Sequence, residues 1–341
     1  MDLLRRVLGI ATRSGASADD GVLITRGDEA AVTAPPEPVV ESPPSSSSAS
    51  RAADARGALE PEIGEGMVVT RPLPPLETLM PQPGQRMRFG QLSDSGMVRS
   101  NNQDVTFGLL MSGVSADGLP DVGLFLVADG MGGHQEGERA SAITARVVAQ
   151  HALHEVVLAL LEQRMNDPDR VSIAEILRTA VQDANDSVNK HIPEGGTTAT
   201  VAVVLGDLAH IAHVGDSRAY LISNGSIEQV TRDHSLIQRL IELDQLTPEE
   251  AAEHPQRNVL YRAIGQSETL DVDAITRRLP PFSALLLCSD GLWNMVSETT
   301  IVEVIQRHSD PQQACVELVQ LANDRGGPDN VSVILVQMPG Q

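Results

Sequence analysis

The chain changes from apolar to polar within eleven residues, Leu124-Phe125-Leu126-Val127-Ala128-Asp129-Gly130-Met131-Gly132-Gly133-His134. The apolar part is short and ends at a glycine-rich turn, which predicts a buried strand. Asp129 follows that strand directly, so we expect it at the rim of a core. The glycines after it let the backbone approach a ligand closely, so the Gly130 carbonyl is a candidate metal ligand or water holder.

Four further aspartates occupy a strand end or an adjoining turn, namely Asp104, Asp216, Asp290 and Asp329. Taken singly, each has an ordinary interpretation as a turn residue. Asp290, however, follows a second apolar run, Leu285–Cys288, just as Asp129 follows the first. Acids gathered at such a rim repel one another unless cations neutralise them. Oxygen ligands of this kind favour Mg²⁺ or Mn²⁺ over zinc.

The wider pattern predicts an α+β domain. Short apolar runs rich in β-branched residues indicate strands at Val105–Leu110, Val122–Ala128, Thr198–Leu205, Leu208–Val214, Ala219–Ile222, Ala284–Cys288 and Val331–Val336. Helical periodicity comes in two pairs of segments, about Glu138–Arg164 with Ile173–His191 and Glu298–His308 with Pro311–Asn323. Asn224-Gly225 is a hairpin signal, and strands joined this closely must be antiparallel. We therefore predict two antiparallel sheets packed face to face, with helices outside them.

A different kind of segment lies between Asp233 and Ile264. Its Thr247-Pro248-Glu249-Glu250 offers an N-cap, a proline at the first helical position and acids in the first turn. This excursion interrupts the strand order. The pattern alone fits a flap over a site and a surface insertion without a role equally well.

Charge and composition exclude several classes of function. The chain has 341 residues, with 25 Lys or Arg against 46 Asp or Glu, and a formal net charge of −21. Such a polyanion is repelled by nucleic acid and by anionic membranes, so we expect neither as a partner. No apolar run approaches the ~18 residues that span a bilayer. Two cysteines, Cys288 and Cys315, lack CxxC partners and indicate buried thiols in a reducing compartment, so we expect a cytoplasmic protein.

The first 86 residues have a separate character. Eleven of the 21 prolines and the Ser45–Ser48 run fall there, with little hydrophobic periodicity. Such a stretch cannot bury enough apolar surface to offset its ordering entropy, so we predict a disordered tail over residues 1–86. The tail carries eight basic and twelve acidic residues, which leaves most of the acidity in a folded domain over residues 87–341.

Seven motifs follow one another along the chain: Gly96-Met97-Val98-Arg99 leading to Asn102-Gln103-Asp104, Asp129 to His134, Gly196-Thr197-Thr198, His213 to Arg218, Asp233-His234-Ser235, Ser289 to Trp293, and Gly327-Pro328-Asp329-Asn330. In this order they resemble the metal-dependent protein phosphatases, the protein phosphatase 2C family, in their bacterial form. The resemblance covers about Arg88 to Gln337. It implies a four-layer αββα sandwich with a flap subdomain at about 229–265.

By position, the resemblance assigns a role to each acid. Asp129 would bridge two metal ions, with the Gly130 carbonyl on one of them. Asp290 and Asp329 would hold the first ion, and Asp104 would support the second through water. A weaker third site would use two acids, Asp216 and Asp290. The ions would be Mg²⁺ or Mn²⁺.

The resemblance also implies the reaction. A hydroxide bridging the two ions would attack phosphoserine or phosphothreonine in proteins, and Arg99 would grip the phosphate with its guanidinium fork. Eukaryotic relatives have a histidine where this chain has Met131, so His134 is our candidate acid for the leaving group, against a local hydrogen-bonding role. An opposing Ser/Thr kinase is implied as a partner.

Two other functions use the same residues. An inactive relative could bind phosphorylated partners through the same pocket. Loss of a metal carboxylate would favour that alternative, and none is lost from the sequence. A hydrolase of small phosphate esters cannot be separated from a protein phosphatase by sequence.

Overall fold

The computed structural model describes residues 86–113, 119–132, 136–166, 170–247, 250–251 and 254–340. Its strands, in chain order, are β1 (Arg88–Asp94), β2 (Val105–Met111), β3 (Val122–Ala128), β4 (Gly130–Met131), β5 (Gly196–Thr197), β6 (Ala199–Leu205), β7 (Leu208–Val214), β8 (Arg218–Ser223), β9 (Ser226–Gln229), β10 (Asp273–Arg278), β11 (Ala284–Cys288) and β12 (Val331–Gln337). One five-stranded sheet has the order β1-β12-β11-β8-β9 and the other β10-β7-β6-β3-β2, while β4 and β5 form a separate short ladder. Every strand pair is antiparallel.

The main helices are α1 (Glu136–Ala152), α2 (Ile173–His191), α3 (Leu236–Glu242), α4 (Asp290–Trp293), α5 (Glu298–Arg307) and α6 (Pro311–Asp324). Side chains cap four of them. Ser172, Ser235, Ser297 and Asp310 each accept a backbone N–H at the start of α2, α3, α5 and α6. In the described part of the chain, no helix has the length and apolar character needed to cross a membrane.

Successive side chains of β3 and β11 point to opposite faces of their sheets, which explains how the sheets and the helices form separate layers. In β3, Leu124 and Leu126 pack with α1 and α2, while Phe125 and Val127 pack between the two sheets. In β11, Leu286 and Cys288 pack with α5 and α6, and the alternate residues Leu285 and Leu287 face the other sheet. Because both faces of these strands are buried, their sequences are continuously apolar. The result is the predicted α+β sandwich, with a helical layer outside each sheet.

The first long helical segment lies close to its predicted bounds, but it is not α-helical throughout. The periodicity predicts a helix over about Glu138–Arg164. In the structure, α1 ends at Ala152, a π-helix follows over Leu153–Leu158, and a last α-helical turn covers Ala159–Leu161. Gln163, with φ of 56°, stops it. The wider turn of a π-helix rotates the apolar side chains slightly but leaves them on one face. The sequence pattern therefore did not reveal the change from α-helix to π-helix.

Two turn predictions are confirmed. Asn224 and Gly225 have φ of 50° and 78°, and they join β8 to β9 as a hairpin. In the flap, the N–H of Thr247 donates to Glu250 Oε2 at 2.9 Å, and the N–H of Glu250 donates to Thr247 Oγ1 at 3.3 Å. Thr247 is thus the N-cap that the sequence suggested, and the bond back to Glu250 completes a capping box. The predicted disordered tail lies outside the described residues, except for Arg86.

Candidate functional site

Five aspartates lie at one end of the sandwich. Asp129 and Asp216 follow β3 and β7, Asp104 precedes β2, Asp290 follows β11, and Asp329 lies just before β12. Because neighbouring strands run antiparallel, the end of one and the start of the next meet at the same edge. The carboxyl group of Asp129 feels the negative charge of the other four. The structure thus brings together the five acids singled out from the sequence.

Burial makes negative charge costly in this cluster. It raises the pKa of Asp104 to about 6, that of Asp216 to about 7 and that of Asp290 to about 8. Neighbouring carboxylates add to each rise. The pKa of Asp129 lies well above its ordinary value for the same two reasons, burial first and like charge second. At neutral pH, protons or cations must offset this accumulation of charge.

Asp104 tests whether the cluster fits a cation. The residue is 7% exposed, and neither carboxylate oxygen accepts a hydrogen bond of normal geometry. Buried polar atoms are normally paired, so these two oxygens are suited to face a cation directly or through its water. Among the described residues, no three His, Cys, Asp or Glu side chains already close around one point. Mg²⁺ keeps several waters and takes few carboxylates, so the open arrangement fits it better than zinc.

Gly130 occupies a position without room for a side chain. Its N–H donates to the Gln103 carbonyl at 3.2 Å. A Cβ atom there would lie 2.3 Å from the Gly137 carbonyl oxygen and 2.6 Å from that of Gln103. Glycine therefore lets the backbone after Asp129 pass close to the backbone before Asp104.

Two threonines next to β6 fix the backbone of Asp129. The N–H of Asp129 donates to Thr198 Oγ1 at 2.9 Å, and the N–H of Thr198 donates to the Asp129 carbonyl at 2.9 Å. The Thr197 hydroxyl donates to the same carbonyl at 2.8 Å. Thr198 Oγ1 also lies 2.7 Å from Ser217 Oγ, beside Asp216. The sequence placed both threonines in a motif but did not indicate this connection between two acids.

Asn330 organises the loop that carries Arg99. Its side-chain oxygen accepts the Gln103 N–H at 2.8 Å. Its amide group donates to the carbonyls of Ser95 at 3.0 Å and Asn101 at 2.9 Å. Sequence reasoning did not assign this role, because the partners lie more than two hundred residues away along the chain.

Arg99 lies at the mouth of the acid cluster. Its Nη2 donates to Asp329 Oδ2 at 2.7 Å, and half of its side chain is exposed. The bond to Asp329 is the main cause of a raised Arg99 pKa, and the charges of Asp129 and Asp290 contribute to the same rise. A guanidinium is thus held beside the acids while part of it remains open to solvent.

His134, the candidate acid, lies outside the described residues, so its role stays a prediction. Met131 occupies the position where eukaryotic relatives have histidine. It pairs with Gly196 in the β4–β5 ladder, and its sulfur lies 3.4 Å from Gln266 Nε2. A thioether cannot donate a proton, so this position supplies packing rather than acid catalysis.

Comparison with known proteins agrees with this geometry. The family model described as protein phosphatase 2C matches residues 87–322. A serine/threonine phosphatase of Listeria welshimeri is 33% identical over 245 residues, covering 72% of this chain and 93% of that protein. The crystal structure of the Mycobacterium tuberculosis serine/threonine phosphatase PstP has a TM-score of 0.61 at 32% identity, covering 74% of this chain and 99% of that one.

A further PstP structure, of the catalytic domain in complex with two manganese ions, has a TM-score of 0.60 at 30% identity and covers 74% of this chain and 97% of that one. The chain belongs to the protein phosphatase 2C family, and it is a serine/threonine protein phosphatase.

Proposed function

We propose that the five aspartates hold the divalent ions on which this phosphatase depends. Asp129 would hold both ions, and the Gly130 carbonyl would be a further ligand for one of them. Asp290 and Asp329 bind the first ion, and Asp104 supports the second through water. Asp216, with Asp290, forms a weaker third site.

The observation that carries this proposal is the burial of Asp104, whose carboxylate oxygens accept no hydrogen bond of normal geometry and lie in a cluster with four other acids. Members of this family depend on Mg²⁺ or Mn²⁺, and oxygen ligands suit both ions. When bound, two such ions lower the pKa of a shared water and polarise the phosphate.

Arg99 is the proposed phosphate ligand. A guanidinium fork matches two oxygens of a phosphate dianion, and charge on those oxygens persists in the transition state. Its bond to Asp329 sets the position of the fork relative to the acids. The remaining N–H donors on the half-exposed side chain are then available to substrate.

The substrates follow from the class of enzyme. Phosphorylated proteins are the substrates, and we propose that an opposing Ser/Thr kinase supplies them. His134 remains the proposed acid for the departing alkoxide. The two described cysteines are buried free thiols, which supports a reducing, cytoplasmic location.

The test is dephosphorylation of a phosphothreonine protein with Mn²⁺, with Mg²⁺ and with EDTA. We expect turnover with either ion and none with the chelator. Asp129→Asn should abolish turnover while keeping the fold, because it removes the shared ligand and also relieves repulsion. Full activity in EDTA would contradict the metal role. Binding of phosphoprotein without turnover would favour the inactive alternative, and a preference for free phosphoserine would favour a small-ester hydrolase.

A further inference from the structure

Trp293 bonds to the backbone of one of the site acids. Its indole Nε1–H donates to the Asp216 carbonyl at 3.1 Å. Trp293 ends helix α4, which begins with Asp290. One hydrogen bond therefore connects the helix that carries Asp290 to the turn that carries Asp216.

Arg218 fixes the plane of the Trp293 ring. Its guanidinium carbon lies 3.7 Å from the centroid of the indole. The guanidinium group also binds Asp233. Its Nε donates to both carboxylate oxygens at 3.0 Å, and its Nη2 donates to one of them at 2.7 Å. Nη1 donates to the Tyr220 hydroxyl at 2.9 Å. With so many bonds, the guanidinium has little freedom to move, and neither has the ring beneath it.

This stack is well buried and draws on three parts of the chain. Arg218 and Asp233 are 18% and 4% exposed at their side chains, and Tyr220 is fully buried. Arg218 belongs to β8, Asp233 lies at the start of the flap segment, and Trp293 comes from α4. An exposed ion pair contributes little to rigidity, whereas a buried one with several hydrogen bonds fixes its neighbours.

The bond adds to a connection that the sheet already makes. Arg218 of β8 pairs with Cys288 of β11, so the segments that carry Asp216 and Asp290 adjoin at the end of this ladder. Beyond the ladder, the bond from Trp293 holds the Asp216 turn against the start of α4. Without that bond, the spacing of the two carboxylates would be less closely fixed. An ion shared by these acids would then bind less tightly.

We propose that Trp293, held in place by Arg218, is a positioning residue. It fixes the position of Asp216 relative to Asp290 and thereby sets the affinity of the weak third ion site. This inference rests on the metal role proposed above for Asp216. In this role Trp293 acts through the backbone of Asp216.

The chain offers a direct reporter, because Trp293 is its single tryptophan. One indole N–H signal is therefore expected in a ¹⁵N–¹H spectrum of the full-length protein. In EDTA-treated protein, we expect this proton to exchange slowly with solvent because it is bonded to the Asp216 carbonyl. During titration with Mg²⁺, the signal should shift mainly in the weaker of the binding phases.

Two variants test the connection. Trp293→Phe keeps an aromatic face for Arg218 but removes the N–H, and loss of about 1 kcal/mol weakens an ion site about fivefold. We expect that loss in the weak Mg²⁺ phase, measured by calorimetry and by the Mg²⁺ dependence of turnover, with kcat recovered at high Mg²⁺. Arg218→Lys keeps the charge but not the stack, so the indole proton should exchange faster. Arg278→Lys, in an exposed ion pair with Asp207, is the matched control. It should change neither the Mg²⁺ affinity of the weak phase nor the exchange rate of the indole proton.

The outcomes separate this inference from the proposed function. If Asp216→Asn loses the weak phase but Trp293→Phe keeps it at wild-type affinity, the positioning role is wrong and the metal role stands. If Asp216→Asn also titrates like the wild type, the metal role of Asp216 is wrong. Rapid solvent exchange of the indole proton in the metal-free wild-type protein would contradict the hydrogen bond itself.

Discussion

Asp104 shows the conflict between stability and function at a single residue. Burial of the Asp104 carboxylate destabilises the metal-free fold, because its charge is removed from water and nearby Ser332 and Ser289 offset only part of that cost. Asparagine matches it in size without the charge, so Asp104→Asn should raise the free energy of unfolding in EDTA by about 1 to 3 kcal/mol at pH 7.5. Turnover with Mg²⁺ should fall. Thermal unfolding in EDTA and phosphoprotein assays measure both effects, and unchanged stability with lower turnover would show that the charge is compensated by other means.

Arg99 provides a second prediction at the residue scale. Arg99→Lys keeps the positive charge but loses the fork, so phosphate loses one of two parallel hydrogen bonds. We expect kcat/KM to fall about tenfold to a hundredfold, since hydrogen bonds to charged groups contribute about 1.5–3 kcal/mol. The metal dependence should not change. Steady-state kinetics on a phosphopeptide measure this effect, and wild-type values would remove Arg99 from the site.

His213 predicts how stability depends on pH. Burial lowers its pKa from 6.5 to about 3; the nearby His234 adds to the fall, and Asp273 opposes it. Its folded pKa lies below its unfolded value, so the unfolded chain takes up the proton first. Stability is therefore lost as the pH falls from about 6.5 towards 3, by about 2 kcal/mol between pH 7 and pH 5.

Glutamine does not titrate, which supplies the control for His213. Between pH 7 and pH 5, we expect the free energy of unfolding of His213→Gln to fall by about 2 kcal/mol less than that of the wild type. Urea unfolding at the two pH values, in saturating Mg²⁺, gives the difference. Equal losses in both proteins would show that His213 does not set this pH dependence.

At the scale of elements, strands buried on both faces were predicted most accurately. The observed β3 and β11 match their predicted bounds, because continuous apolar sequence indicates burial from two sides. The bounds of β7 also match, although two histidines interrupt its apolar residues. β1 and β10 were not predicted. β1 has glycine and polar residues because α6 packs closely over Gly90, and β10 is an edge strand with an exposed, charged end. Neither pattern differs enough from a loop to be recognised.

Asn330 leads to a prediction for the loop between β1 and β2. Asn330→Ala removes three partly buried hydrogen bonds to the backbone of this loop, so it should destabilise the fold by about 2–4 kcal/mol. It should also lower turnover, since the loop holds Arg99. Asn189→Ala, which removes one exposed bond to Ser267, is the matched control. If thermal unfolding and kinetics of the two variants agree, Asn330 does not organise the loop.

At the scale of the whole molecule, the acids were predictable and their supports were not. Asp129 and Asp290 follow apolar strands, so local sequence was enough to place them at a rim. Trp293, Thr198 and Asn330 act through partners distant along the chain, and no local pattern marks such contacts. Local sequence therefore predicted that these acids lie at a rim of the core, but it did not indicate which residues hold them there.

The boundary of the folded unit gives the last prediction. Arg86 donates to Asp121 Oδ1 at 2.7 Å and to the Gly113 carbonyl at 2.8 Å, and Met87 is buried. A shortened chain that begins at Gln85 keeps these contacts, so it should unfold at the same temperature as the full chain and hydrolyse phosphoprotein at the same rate. Calorimetry and kinetics on both proteins are the measurements. An insoluble or inactive shortened protein would place the boundary further upstream.

The pairing of β1 with β12 also determines when, during synthesis of the chain, the domain can complete its fold. Arg88 lies opposite Gln337, and Asp329 lies just before β12, so one sheet joins the earliest and latest strands of the domain. A ribosome therefore makes β1 long before its neighbour is available, and the half-built sheet presents an unpaired edge during that time. A growing or prematurely terminated chain lacks Asp329 and cannot complete the acid cluster. If the acids bind the ions as proposed, hydrolysis of phosphoproteins begins only after Asp329 and β12 have been synthesised.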